Sequence, residues 1–145
     1  METVLDNRPS VEFIVVADKA EAINGKLYMM GGGWDRLWLA TMPGEHHFSV
    51  GVSVIIPWMA TNSEHRLQIL ITDETETEVA SAQVLFNAGT SAIMKRGEIQ
   101  KVLAAFNLGV TFPKIGTYTV RAMVDDEREL GRETLFYVNH RPAPR

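Results

Sequence analysis

Hydrophobic and polar positions alternate along most of this chain with a period of two. Between Lys101 and Phe112, residues Val102, Ala104, Phe106, Leu108, Val110 and Phe112 fall on one side of an extended backbone. Lys101, Leu103, Ala105, Asn107, Gly109 and Thr111 fall on the other. A sheet with one covered face needs this alternation. It recurs from His47 to Ile56, where Phe48, Val50, Val52, Val54 and Ile56 share a face, and in Arg66–Thr72, Val79–Phe86, Tyr118–Val124 and Arg132–Val138. Val11–Ala17 turns apolar on both faces in its second half, which predicts a central or doubly covered strand. Helical periodicity is nowhere sustained.

Turn signals separate these runs. Asn24-Gly25 is the strongest, since both residues accept positive φ, and it leads into a strand at Lys26–Met30. Gly31-Gly32-Gly33 precedes a further run at Trp34–Leu39, and Pro43-Gly44 and Phe112–Gly116 mark turns. Arg66–Thr72 and Val79–Phe86 read as a hairpin with an acidic tip, and if His47–Ile56 pairs with Arg66–Thr72 across the Pro57–Glu64 loop, His65 sits at the opposite end from His47. Asn87 to Gln100 breaks the alternation. It predicts either a short helix around Ser91–Arg96 or a crossing between sheets. The fold expected is all-β: an antiparallel two-sheet sandwich, immunoglobulin-like or Greek-key, of about eight strands. Residues 1–10 form an N-terminal arm, 11–139 a single domain and 140–145 a tail, where prolines cannot join a ladder. Phe48, Val52, Leu67, Ile69, Phe106, Leu108, Tyr118 and Val120 are the expected core.

Two stretches carry resemblances. Phe112-Pro-Lys-Ile-Gly-Thr-Tyr-Thr-Val-Arg121, with Phe136-Tyr-Val138, resembles the closing hairpin of many immunoglobulin-like and macroglobulin-like sandwiches. Ala17-Asp-Lys-Ala-Glu-Ala-Ile-Asn-Gly-Lys-Leu-Tyr-Met-Met-Gly-Gly-Gly-Trp-Asp35 resembles the opening of a family of small uncharacterised bacterial and phage-associated proteins. The first implies a fold only; the second implies no activity.

Composition narrows the function classes. With 145 residues and a formal net charge of -4, the chain lacks the basic surface that phosphate binding requires. The absence of cysteine removes disulfide and thiol chemistry and suits a cytoplasmic protein. No apolar run is long enough to span a membrane, and the first residues lack a signal-peptide layout. No nucleic-acid partner, membrane, cofactor or metal is expected.

The candidate chemistry is thin. Gly31-Gly32-Gly33-Trp34 lacks the Lys-Ser or Lys-Thr of a phosphate loop and reads as a bulge or a close backbone approach. His46 and His47 must point to opposite faces, and His65 falls far from His47, so the histidines read as surface residues. Asp73, Glu74, Glu76 and Glu78 lack the glycine and spacing of a calcium loop. No serine sits in a nucleophile elbow. The tryptophans carry more. Trp58 and Met59 lie in a loop that would otherwise be polar, as interface anchors do. Trp34 and Trp38 share a strand parity and suggest a sugar-stacking face. Ile14, Val16, Ile55, Leu103, Leu135 and Tyr137 are surplus apolar residues expected on outer faces, as if one sheet were covered. The expectation is a non-enzymatic interaction or assembly module, self-associating or binding another protein through Trp58, Met59, Trp34 and Trp38. The alternative is a carbohydrate-binding module.

Overall fold

A computed structural model of the chain describes residues 7–90 and 94–141. Nine strands make up the fold: β1 Ser10–Ile23, β2 Lys26–Gly32, β3 Arg36–Leu39, β4 Gly44–Pro57, β5 Glu64–Thr72, β6 Glu78–Asn87, β7 Ile99–Phe112, β8 Gly116–Val124 and β9 Arg132–His140. Short 3-10 turns occupy Trp58–Ala60 and Arg128–Leu130. A four-stranded sheet has the order β2-β1-β4-β7, and a curled five-stranded sheet the order β3-β9-β8-β5-β6. All pairs are antiparallel except β3 with β9.

β4 and β5 do not pair with each other. β4 pairs with β1 and β7, and β5 with β6 and β8. Pro57 has no N–H to extend a ladder, and the 3-10 turn behind it carries the chain from one sheet to the other. Val50, Val52 and Val54 can then face Leu67, Ile69 and Ile71 across a single core. Of the two alternatives for Asn87–Gln100, the crossing is realised, from β6 in one sheet to β7 in the other. The helix expected at Ser91–Arg96 falls partly on residues 91–93, outside the described residues. Arg96 and Gly97 lie in a turn.

The core centres on interlocked rings. Phe112 meets Tyr118 edge-on at 4.9 Å and Phe136 at 5.7 Å, and Phe48 meets Phe136 at 5.8 Å. Edge-to-face geometry matches the quadrupoles of the rings. Of the expected core, Phe48, Val52, Leu67, Ile69, Tyr118 and Val120 are buried, but Phe106 and Leu108 are only half-buried. β7 and β6 are edge strands of their sheets, and the core opens between them.

Ile14 and Val16 are also corrected: both point into the core. The β1–β4 register shifts between Val11 and Phe13. This bulge at Glu12 reverses the facing of every residue after it. Phe13, Val15 and Ala17 therefore face outward, beside Ser53, Gly51 and Ser49 of β4.

That outer face is then covered by the chain itself. The β1–β2 hairpin turns at Asn24 and Gly25, both at positive φ (50° and 73°), and folds back over the sheet. A Cβ on Gly51 would lie 2.9 Å from Leu27 Cδ2 and 3.1 Å from Met29 Sδ, so any larger residue there must displace these side chains of the hairpin's underside. Gly31 makes the bend possible, at φ 62° with the Asp18 carboxylate where a Cβ would stand. Gly31 and Gly33, at φ 62° and 85°, supply the positive φ that glycine permits in such a connection. Beneath the hairpin, Ser49 hydrogen-bonds Asn107, and Ser53 donates to Glu12 at 2.7 Å. Covered polar groups are satisfied, as burial demands.

Candidate functional site

A groove of about 540 Å³ lies at one end of the molecule. Four separated segments build it. The 3-10 turn contributes Trp58 and Met59, and the end of β4 gives Ile55 and Pro57. The N-terminal stretch gives Asn7, Arg8 and Ser10. The β6–β7 connection gives Arg96, Gly97 and Glu98, followed by Ile99. Leu130 comes from the β8–β9 connection. Pro57 is extended (φ -67°, ψ 158°) and directs the chain into the turn, which leaves Met59 63% exposed and Trp58 half-buried. Ile99 is also exposed. The floor is apolar and the rim carries charge: Arg8 Nη1 donates to Glu127 Oε2 at 2.7 Å, and the Lys95 amide donates to Glu98 at 2.6 Å.

The four expected interface residues divide. Trp58 and Met59 meet in the groove. Trp34 and Trp38 do not share a face, contrary to the parity argument. Trp34 precedes β3 and packs edge-on against Phe48 (5.6 Å) and Phe136 (5.4 Å) in the core. Trp38 lies on the outer face of β3, with the Arg141 guanidinium 4.6 Å above its ring. A two-tryptophan sugar platform is therefore absent. The rest of the groove was not legible, since Arg8, Arg96, Ile99 and Leu130 are brought together only by tertiary structure.

A shallower depression beside the groove is lined by Glu64, His65, Arg66, Leu85, Asp125 and Asp126. His65 corrects the surface reading: it is 7% exposed, because it continues the inward parity of Leu67, Ile69 and Ile71 on β5. Its Nδ1 lies 2.6 Å from Asp125 Oδ2 and its Nε2 lies 2.7 Å from the Ala60 carbonyl oxygen. Burial works against its charge, but the Ala60 carbonyl and the Asp125 carboxylate outweigh it and hold the imidazole pKa above the ordinary histidine value. Both nitrogens are engaged by protein oxygens, so neither faces open space. Asp125 also accepts from the Arg66 amide at 2.9 Å, and Arg66 pairs with Asp126.

The other candidates resolve into structure. Asp73 accepts from the Thr75 hydroxyl and amide and from the Thr77 amide, so it closes the β5–β6 turn. These bonds hold its pKa below the ordinary carboxylate value. His46 and His47 face opposite sides, as alternation requires: His46 stacks near Phe48 and His47 lies against Gly109. Among the described residues, no group of three His, Cys, Asp or Glu side chains is placed to hold a metal ion. Nor is any helix long and apolar enough to cross a membrane.

A family model described as a family of unknown function, DUF6941, matches residues 12–138. The chain belongs to this family. The match runs from the β1 bulge almost to the end of β9, so the family span contains Trp58, Met59, His65, Ile99, Asp125 and Leu130. The N-terminal wall of the groove, Asn7 to Ser10, lies outside it. No functionally curated protein matches the chain.

Proposed function

We propose that the chain is a non-enzymatic interaction module that builds a larger assembly by docking through the Trp58–Met59 groove. The observation that carries this is the groove itself, an open apolar floor with an exposed methionine and a half-buried tryptophan. Trp and Met are the side chains enriched where protein surfaces meet, and Pro57 lowers the cost of ordering the turn. The occupant is a second copy of the chain. Arg8 and Arg96 stand at the groove, and beyond the far end of β5 the exposed acidic residues Glu74 and Glu78 flank Glu76, which pairs with Arg128 at 3.7 Å. The nine residues of β5 set these ends about 30 Å apart, which suits head-to-tail association.

Two finer readings belong with this one. The sheets are taken as layers of an immunoglobulin-like or Greek-key sandwich, supported by one core that draws on both. The parallel β3–β9 pair departs from an all-antiparallel plan. A cytoplasmic setting, or the interior of a phage particle, suits a chain without cysteine.

The test is solution mass by light scattering across a concentration series. The wild-type mass should rise with concentration and fall back at high salt. Replacing Trp58 and Met59 together by serine should keep the mass at that of one chain while the thermal midpoint stays nearly unchanged. A wild type that remains a single chain throughout excludes the second copy. If the double change lowers stability by several kcal/mol, roughly what loss of core packing costs, and leaves the mass unaltered, the pair is a core cap.

A further inference from the structure

We propose that His65 is a proton-operated latch that ties the Trp58–Met59 turn to the β8–β9 connection and so fixes the shape of the groove. The inference rests on the docking reading above and names its regulation. Its basis is geometric. The buried ring lies between two acceptors, the Asp125 carboxylate at 2.6 Å and the Ala60 carbonyl at 2.7 Å. A neutral imidazole has one N–H and one lone pair, so it can satisfy only one of them. The other contact would set a lone pair against an oxygen in a buried place, and such a contact is repulsive. The arrangement holds only while the site keeps its second proton.

The two acceptors belong to two of the segments that contribute residues to the groove walls. Ala60 ends the 3-10 turn that carries Trp58 and Met59. Asp125 begins the connection that also supplies Glu127, the partner of Arg8, and Leu130. His65 is thus the tie between these segments. The charged groups around it are Asp125 and Asp126 from that connection, and Glu64 and Arg66 from β5. The Arg66 guanidinium is taken up by Asp126. The 3-10 turn brings only a carbonyl, and β6 brings the uncharged Phe86 ring at 5.7 Å.

The sign follows from the raised imidazole pKa. The latch contributes its stabilisation in full below the ordinary histidine pKa. It loses that contribution as pH rises through the higher value of the folded protein. Falling pH closes the latch and rising pH opens it.

The test uses the free full-length chain, so it does not depend on any partner. Imidazole nitrogen shifts of His65 and the methyl shift of Met59 are followed by NMR from pH 5 to 9. Hydrogen exchange of the Thr61 amide, which bonds the Trp58 carbonyl at 3.2 Å, is followed alongside. The expected result is a doubly protonated ring at low pH, with the Met59 shift and Thr61 exchange changing at the same midpoint. Asp125→Asn should move that midpoint down by at least tenfold in proton concentration. A ring that stays neutral throughout overturns the proposal. So does a ring that titrates while Met59 and Thr61 stay still; both readings are on wild-type protein and survive a variant that fails to fold. Failure of the docking reading appears separately, as an unchanged mass in light scattering.

Discussion

The two sheets have different outer faces, although the sequence writes both with the same alternation. On the four-stranded sheet the outward positions of β4 are small, Ser49, Gly51 and Ser53, and the β1–β2 hairpin lies over them. On the five-stranded sheet the outward positions include Trp38, Leu135 and Tyr137, and among the described residues no strand crosses them. There, charge shields the rings instead: Arg36 sits 5.1 Å from the Tyr137 ring and Arg141 lies over Trp38. One face is closed by close approach over a glycine. The other is left to water under guanidinium groups, whose weak hydration suits them to aromatic surfaces. An apolar surplus in an alternating strand therefore does not say which solution the fold adopts.

The comparison can be broken most severely at the point the sheets share. Phe136 is fully buried and touches Phe48, Phe112, Tyr118 and Trp34. Phe136→Ala should cost about 3–5 kcal/mol in chemical denaturation, with both sheets lost in one transition. Two separate transitions would show that the faces belong to independent units. A smaller effect is expected at the covered face. Gly51→Val should push the hairpin away at a cost of about 1–3 kcal/mol and speed amide exchange in β2 while leaving β8 protected. Equal exchange in both strands would mean that the hairpin is not held by this approach. The smallest belongs to the open face. Leu135→Ser should shift stability by no more than about 0.5 kcal/mol, and a larger loss would reveal a cover over that face.

Much of the fold could be read from alternation alone. Each apolar stripe became a strand, and Asn24-Gly25 made its turn. The misreadings have local physical causes. A single extra residue at Glu12 inverted Ile14 and Val16, and period-two patterns carry no mark of a bulge. Trp34 and Trp38 share parity, but Trp34 precedes the strand and its backbone is not extended into it. His65 could have been placed, since it shares the parity of Leu67, Ile69 and Ile71; its polarity argued the wrong way. The groove was half legible, through Pro57-Trp58-Met59. Its other walls come from segments that meet only once the chain crosses between sheets.

The placing of β9 has a consequence for how the molecule is made. This strand lies between β3 and β8, and β3 has no other strand neighbour. On a ribosome, β3 must therefore wait for most of the chain to be synthesised before it finds its ladder. Such distant pairing slows folding, and it leaves Leu37 and Leu39 without their native cover until residues 132–140 emerge. During that interval β3 presents an unpaired edge and two apolar side chains, the features that make incomplete chains prone to aggregate.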